Sequence, residues 1–289
     1  MRPLDEQTIL ITGSTDGLGE ATAEKLVQHG ASVLVHGRSE QKLERALAKL
    51  GADRGARVRG VLADLASLEQ VRRLARDVER RVERLDVLVN NAGVVVMDKR
   101  RESRDGFEMT FAVNYLSHFL LTAELMPLLR RSSPARIVNV ASLGQAPVNF
   151  EDPMAERDYE GFRAYARSKL AQIMFTIELA DRLREAGEGG VTVNTLHPAT
   201  FMDTQMLREG LGRAGRTDVA EGVEALFRLV ADPELAGLSG RYFDQLEEAT
   251  ADAQAYDADA RRRLWALSEE LAGERFEISR EGFGTSGTP

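Results

Sequence analysis

The sequence predicts an α/β protein: a doubly wound parallel sheet of about seven strands, helices on both faces, and one domain over residues 1–289. Three observations carry that prediction. Short β-branched runs alternate with longer amphipathic segments. A glycine-rich turn joins the first run to the first helix. No internal repeat or linker divides the 289 residues, a length that open α/β folds occupy as one unit.

The first strand is Thr8-Ile9-Leu10-Ile11-Thr12, and the helix after it runs from Leu18 to His29, stopping at Gly30 as helix C-termini often do. Ser32 to His36 is the second strand. A helix at about 39 to 50, a strand at about 57 to 62, a helix at about 67 to 82 and the strand Leu85 to Val89 follow. Residues 105 to 130 form a long helix with Phe107, Phe111, Tyr115 and Phe119 on one face, bent or ended at Pro127. Ile137 to Val140 is the fifth strand, about 160 to 186 a second long helix and Val191 to Leu196 the sixth strand. A helix at about 217 to 231, a strand around Tyr242 and an acidic helix at about 254 to 272 complete the pattern, before a frayed tail at 282–289.

Composition narrows the function. The 46 acidic against 38 basic residues leave a net charge of −8, which disfavours nucleic acid and anionic membranes as partners. Cysteine is absent, so disulfides, thiolate nucleophiles and cysteinyl metal sites are excluded. With no leader pattern and no run of 18 apolar residues, the expected location is the cytoplasm. His29, His36, His118 and His197 lack metal-ligand spacing; each is assigned to packing or loop chemistry, and no metal is expected.

Between the first strand and the first helix stands Thr12-Gly13-Ser14-Thr15-Asp16-Gly17-Leu18-Gly19. Glycines there permit a tight turn and close backbone approach, and the helix N-terminus offers free N–H groups to a pyrophosphate, as in a Rossmann-type dinucleotide site. Asp16 suits phosphates only if it points away. The second strand ends in His36-Gly37-Arg38-Ser39. No carboxylate is present to accept from a ribose 2′-OH, Gly37 leaves room, and Arg38 with Ser39 can hold a 2′-phosphate, so NADP(H) is preferred to NAD(H). Asp64-Leu65 and Asn90-Asn91-Ala92-Gly93 end the next two strands and so line the crevice, Asp64 toward adenine and Asn90 toward ribose.

The second long helix carries Tyr165-Ala166-Arg167-Ser168-Lys169. Residues four apart share a helix face, so the Lys169 ammonium can lie beside the Tyr165 phenol, favour phenolate and make the tyrosine a general acid/base.

In this order the Gly-x-x-x-Gly-x-Gly turn, Asn-Asn-Ala-Gly and Tyr-x-x-x-Lys resemble the short-chain dehydrogenase/reductase family, from about residue 7 to about 245. The resemblance implies a tetrad of Asn114, Ser142, Tyr165 and Lys169. By it, Ser142 would hydrogen-bond the substrate oxygen, Tyr165 would protonate it, Lys169 would hold the nicotinamide ribose, and Asn114 would fix a water linking Lys169 to solvent. Ala164-Tyr165 with Ser168-Lys169-Leu170-Ala171, the long segment before Tyr165, and Leu264-Trp265 resemble the retinol-dehydrogenase-like branch, whose usual NADP preference agrees with Arg38. After the sixth strand the family's Pro-Gly is Pro198-Ala199, and Ala199 adopts positive φ less cheaply. Pro198 and Thr204 are expected beside the cofactor by the same resemblance, and apolar residues within 199–216 make a substrate lid. It also implies a homodimer or homotetramer in which the long helices pair, with Leu170, Ile173, Met174 and Ile177 at the contact. The expected function is NADP(H)-dependent hydride transfer with a small-molecule carbonyl or alcohol, an apolar one. A noncatalytic NADP(H)-sensing protein is the alternative, though a sensor does not require all four groups.

Overall fold

A computed structural model describes residues 1–200, 202, 208, 215 and 217–278. Its eight-stranded sheet has the order β3-β2-β1-β4-β5-β6-β7-β8. The strands are β1 (Thr8–Ile11), β2 (Ser32–Gly37), β3 (Val58–Leu62), β4 (Val87–Asn90), β5 (Ala135–Val140), β6 (Val191–His197), β7 (Tyr242–Asp244) and β8 (Glu247–Glu248). All pair in parallel except β7 with β8. The chain runs outward from β1 to β3, crosses to β4 and then runs outward the other way. That reversal opens a crevice at the carboxyl ends of β1 and β4.

Both faces of the sheet are covered, so its strands are apolar throughout instead of alternating with polar residues. Ile9, Ile11, Val33, Val35, Val87 and Val89 face one core layer, and Leu10, Leu34 and Leu88 face the other. The first layer is closed by α1 (Gly17–Gln28), α2 (Glu40–Lys49) and, late in the chain, the helix Val219–Ala231. On the second lies α3 (Leu68–Arg81), which buries Leu68, Val71, Leu74, Ala75 and Val78 at helical spacing and is capped by Ser67.

The first long helix differs from expectation. It starts at Met109 because the Glu108 carboxylate accepts from Thr110 N–H at 2.9 Å and Phe111 N–H at 2.7 Å, leaving Phe107 outside. After α4 (Met109–Phe111) comes a π-helical turn, Ala112–Leu116, and then α5 (Ser117–Arg131). Pro127 does not end α5, which continues to Arg131. The second long helix is α6 (Gly161–Glu185), and α7 is the helix Val219–Ala231 named above. Near the end, a 3₁₀ turn (Ala253–Tyr256) precedes α8 (Ala258–Ala272), because Asp257 caps a new start.

The C-terminal segment lies across α5 and α6. Trp265 stacks on Phe276 with ring centroids 5.0 Å apart and meets Phe119 of α5 at 5.2 Å. Leu170, Ile173 and Met174 of α6 are fully buried in this same core, so subunit contact through them would require the segment to move. Among the described residues no helix is long and apolar enough to cross a membrane. Thr204, nearly all of the expected lid at 199–216 and the tail at 282–289 lie outside the described residues.

Candidate active site

At the end of β1 the chain turns through Gly13 (φ +64°) and Gly17 (φ +56°). A Cβ on Gly13 would stand 2.8 Å from Ala92 Cα, and one on Gly19 would stand 2.6 Å from Asn91 Nδ2. The turn is tied from both sides. Asn91 Nδ2 donates to the carbonyls of Thr12 (2.8 Å) and Gly13 (3.0 Å), while Thr12 Oγ1 accepts from Asn91 N–H and Ala92 N–H. Ser14, fully buried, donates to Ile11 O at 2.7 Å and accepts from His36 N–H at 3.0 Å. Asp16 stands before α1 but makes no capping bond, so the helix's first N–H groups stay available for an anion. Its carboxylate points instead to Lys42 Nζ at 3.1 Å. Thr15 and Leu18 complete the turn, the latter anchored in the core.

His36 carries more of this turn than its sequence position indicated. Its Nδ1 accepts from Gly13 N–H at 3.0 Å and its Nε2 lies 3.1 Å from Ala63 O, so the proton sits on Nε2. Burial lowers its pKa to about 4, and the ring is neutral at pH 7. The space over Gly37 is taken by Thr15, whose Cγ2 would meet a Cβ there at 2.5 Å. Arg38 is exposed at the carboxyl end of β2, with no hydrogen bond or ion pair among the described residues. Ser39 caps α2 through Lys42 N–H at 3.4 Å.

Asp64 follows β3, its Oδ1 accepting from Ala66 N–H at 3.1 Å, beside buried Leu65. Asn90 does not face the crevice: it is fully buried and its amide donates to Asn139 Oδ1 at 2.8 Å and Thr122 Oγ1 at 3.1 Å. Gly93 and Val94 carry the chain past Asn114 in the π turn. The Asn114 carboxamide accepts from Val94 N–H at 2.7 Å and donates both its N–H groups, to Val94 O and Ser168 Oγ. Beyond β6, Ala199 is buried without positive φ, since Ala155 and Gln245 are the only such non-glycine residues described. Pro198 packs toward Gly222 of α7, and His197 Nε2 pairs with Thr200 Oγ1 at 2.9 Å.

Ser142, Tyr165 and Lys169 come together where β5 ends against α6. Ser142 Oγ accepts from Gly144 N–H at 3.0 Å, which leaves its own proton to donate outward. Tyr165 is raised above the ordinary phenol range by burial, with a Ser142 hydrogen bond pulling the other way. The phenol is therefore a protonated acid at neutral pH. The Lys169 ammonium stands 5.7 Å from the ring centroid and donates to Val140 O (2.7 Å) and Gln172 Oε1 (2.9 Å). Buried without a carboxylate partner, Lys169 is itself lowered to about 7. Leu143 and Phe162 are exposed at the mouth, Phe162 with its ring centroid 6.3 Å from that of Tyr165.

A sheet reversing beside a glycine-cradled helix N-terminus, with a serine, tyrosine and lysine converging next to it, defines a nucleotide-dependent oxidoreductase site. The short chain dehydrogenase family model matches residues 7–211, and the chain belongs to that family. Human retinol dehydrogenase 14 is 38% identical, covering 92% of this chain and 86% of the relative. Mouse retinol dehydrogenase 13 is also 38% identical (92% and 84%), and mouse polyprenol dehydrogenase is 36% identical (94% and 85%). Among solved structures, an uncharacterised protein from Mycobacterium paratuberculosis superposes with a TM-score of 0.78 at 29% identity, covering 94% of this chain and 95% of that one. The Pseudomonas aeruginosa RhlG/NADP complex gives 0.66 at 29% identity (84% and 97%). Within the family the chain falls in the retinol-dehydrogenase-like branch.

Proposed function

We propose that the protein is an NADP(H)-dependent oxidoreductase that interconverts the carbonyl and alcohol of an apolar small molecule, with Tyr165 as general acid/base. The observation that carries this reading is the convergence of the Ser142 and Tyr165 hydroxyls in front of buried Lys169. The turn fits the cofactor: the clashes that a Cβ would meet at Gly13 and Gly19 mark a backbone kept open, and α1 presents uncapped N–H groups. Gly13 to Gly19 would hold the pyrophosphate, Arg38 and Ser39 the 2′-phosphate, Asp64 the adenine, and Asn91 to Gly93, Lys169, Pro198 and Thr204 the ribose and nicotinamide end. When bound, the nicotinamide supplies or accepts the hydride.

The chain's own groups do the rest. Ser142 donates to the substrate oxygen and fixes its position. Tyr165 gives that oxygen its proton in reduction and takes it back in oxidation, assisted by Lys169, whose positive charge favours the phenolate left behind. Leu143 and Phe162 at the mouth suit an apolar substrate, in keeping with relatives named for retinol and polyprenol.

The test is an NADPH-oxidation screen over apolar aldehydes and ketones. Tyr165→Phe should lower turnover by roughly 10²- to 10⁴-fold with NADPH binding retained; full turnover in this variant defeats the mechanism. Arg38→Ala should weaken NADPH far more than NADH, and equal losses defeat the cofactor assignment. Tight NADPH binding with no turnover across the panel would instead favour a sensor.

A further inference from the structure

Lys169 is one end of a buried polar chain that crosses the molecule from the catalytic helix to the glycine-rich turn. Its ammonium donates to Gln172 Oε1 at 2.9 Å; Gln172 Nε2 lies 3.1 Å from His118 Nδ1; His118 Nε2 lies 3.5 Å from Thr12 Oγ1. Thr12 in turn holds Asn91 N–H at 2.9 Å and Ala92 N–H at 3.0 Å. Every member is sealed from solvent, with Lys169 3%, Gln172 and His118 1%, and Thr12 0% exposed. In such surroundings each polar group must find its partner, because water cannot replace a lost one.

Donor and acceptor counting fixes the direction of the chain from Lys169 to His118. An ammonium only donates, so Gln172 must turn its oxygen to Lys169 and its nitrogen to His118. The ring nitrogen that receives an N–H must be unprotonated, so the His118 proton sits on Nε2; Thr12 Oγ1, 3.5 Å from it, already accepts from Asn91 and Ala92 N–H and donates to Val89 O, so the ordered chain ends at His118, in contact with Thr12. Burial first, and the Lys169 charge second, depress His118 to about 3 and hold the ring neutral. With Val140 O and Gln172 Oε1 each taking one N–H, one of the three ammonium protons has no partner among the described residues. The ionisable groups facing Lys169 are Tyr165 on its own helix, His118 on α5 and His197 on β6.

We propose that Gln172, locked in one orientation by a neutral His118, is a positioning residue that fixes the Lys169 ammonium. This rests on Lys169 belonging to the catalytic group. In consequence the lysine presents a single N–H with no partner among the described residues, aimed by a side chain that itself touches neither substrate nor cofactor.

Lysine occurs only at 25, 42, 49, 99 and 169, so NMR of the full-length chain labelled with ¹³C at lysine Cε can follow each titration, with Lys169→Arg identifying the resonance. Lys169 should titrate well below the ordinary lysine range. Gln172→Glu, nearly isosteric, keeps an acceptor, adds an anion and should raise that titration by about one pH unit or more; Gln172→Leu should lower it. His118→Phe frees the amide to turn and should move it downward by less. NADPH affinity, followed by quenching of the single tryptophan, should fall several-fold in Gln172→Leu and recover in Gln172→Glu. A Lys169 titration unchanged in Gln172→Glu and His118→Phe overturns the proposal, even if Gln172→Leu fails to fold. If the titrations move as expected while NADPH never binds, the positioning stands and the cofactor reading fails.

Discussion

The glycine-rich turn and the C-terminal segment are both held in place by long-range contacts, but by opposite means. The turn is held by neutral groups bonding to backbone: Thr12, Ser14, His36 and Asn91 each satisfy a specific N–H or C=O. Its tolerances are set by a missing atom, the Cβ of Gly13 or Gly19. Residues 253–278 are held instead by ring surface and charge. Arg261 reaches Glu178 at 3.3 Å and Asp181 at 3.0 Å, the Arg182 guanidinium covers Trp265 at 4.2 Å, and Arg130 donates to Ile278 O at 2.9 Å. Where the backbone itself forms the binding surface, geometry leaves little slack; where a segment only has to cover a core, many contacts share the task.

That contrast yields predictions that separate the two regions. Gly19→Ala should have the largest effect, because the methyl falls 2.6 Å from Asn91 Nδ2 and 2.9 Å from Ser14 Cα. Titration of NADPH should show a loss of roughly a hundredfold or more, equivalent to about 3 kcal/mol of binding. Trp265→Ala should spare NADPH affinity but cost about 3–5 kcal/mol of stability, seen as a lower urea midpoint. Cofactor affinity that collapses with Trp265 would erase the distinction. The smallest effect is in acid. The folded-state pKa of His36, about 4, lies below the ordinary histidine value of 6.5, so its stabilisation is complete above pH 6.5 and is lost as pH falls toward 4. By pH 5 this amounts to about 2 kcal/mol, and His36→Gln should flatten that part of the stability profile when unfolding is followed against pH.

Much of this was legible in the sequence for reasons of period and proximity. Apolar runs such as Thr8 to Ile11 declare strands, glycines at 13, 17 and 19 declare the turn, and four-residue spacing puts Tyr165 and Lys169 on one face. The groups that hold those residues in place were not legible. His36 and Gly13 are 23 positions apart, Gln172 and His118 54, and His118 and Thr12 106, so only the folded sheet brings them together. Glu108 shows the local limit: a carboxylate before a hydrophobic run is an ordinary charge until it folds back to cap Thr110 and Phe111. The partners of Lys169 were hidden for a related reason, since helical spacing says that Lys169 is near Tyr165 but not that Val140 and Gln172 engage its protons.

β8 is two residues long, both glutamates, and both are exposed. Backbone donors and acceptors along an open sheet margin invite a second molecule to extend the hydrogen-bonded ladder, and aggregation often begins that way. Here the flank beyond β7 is blunted by brevity and by paired negative charge, with Arg241 taking up Glu248 at 3.1 Å. The protein thus carries its own deterrent against edge-to-edge polymerisation on this side, one that lysine replacements at Glu247 and Glu248 would preserve and valines would remove.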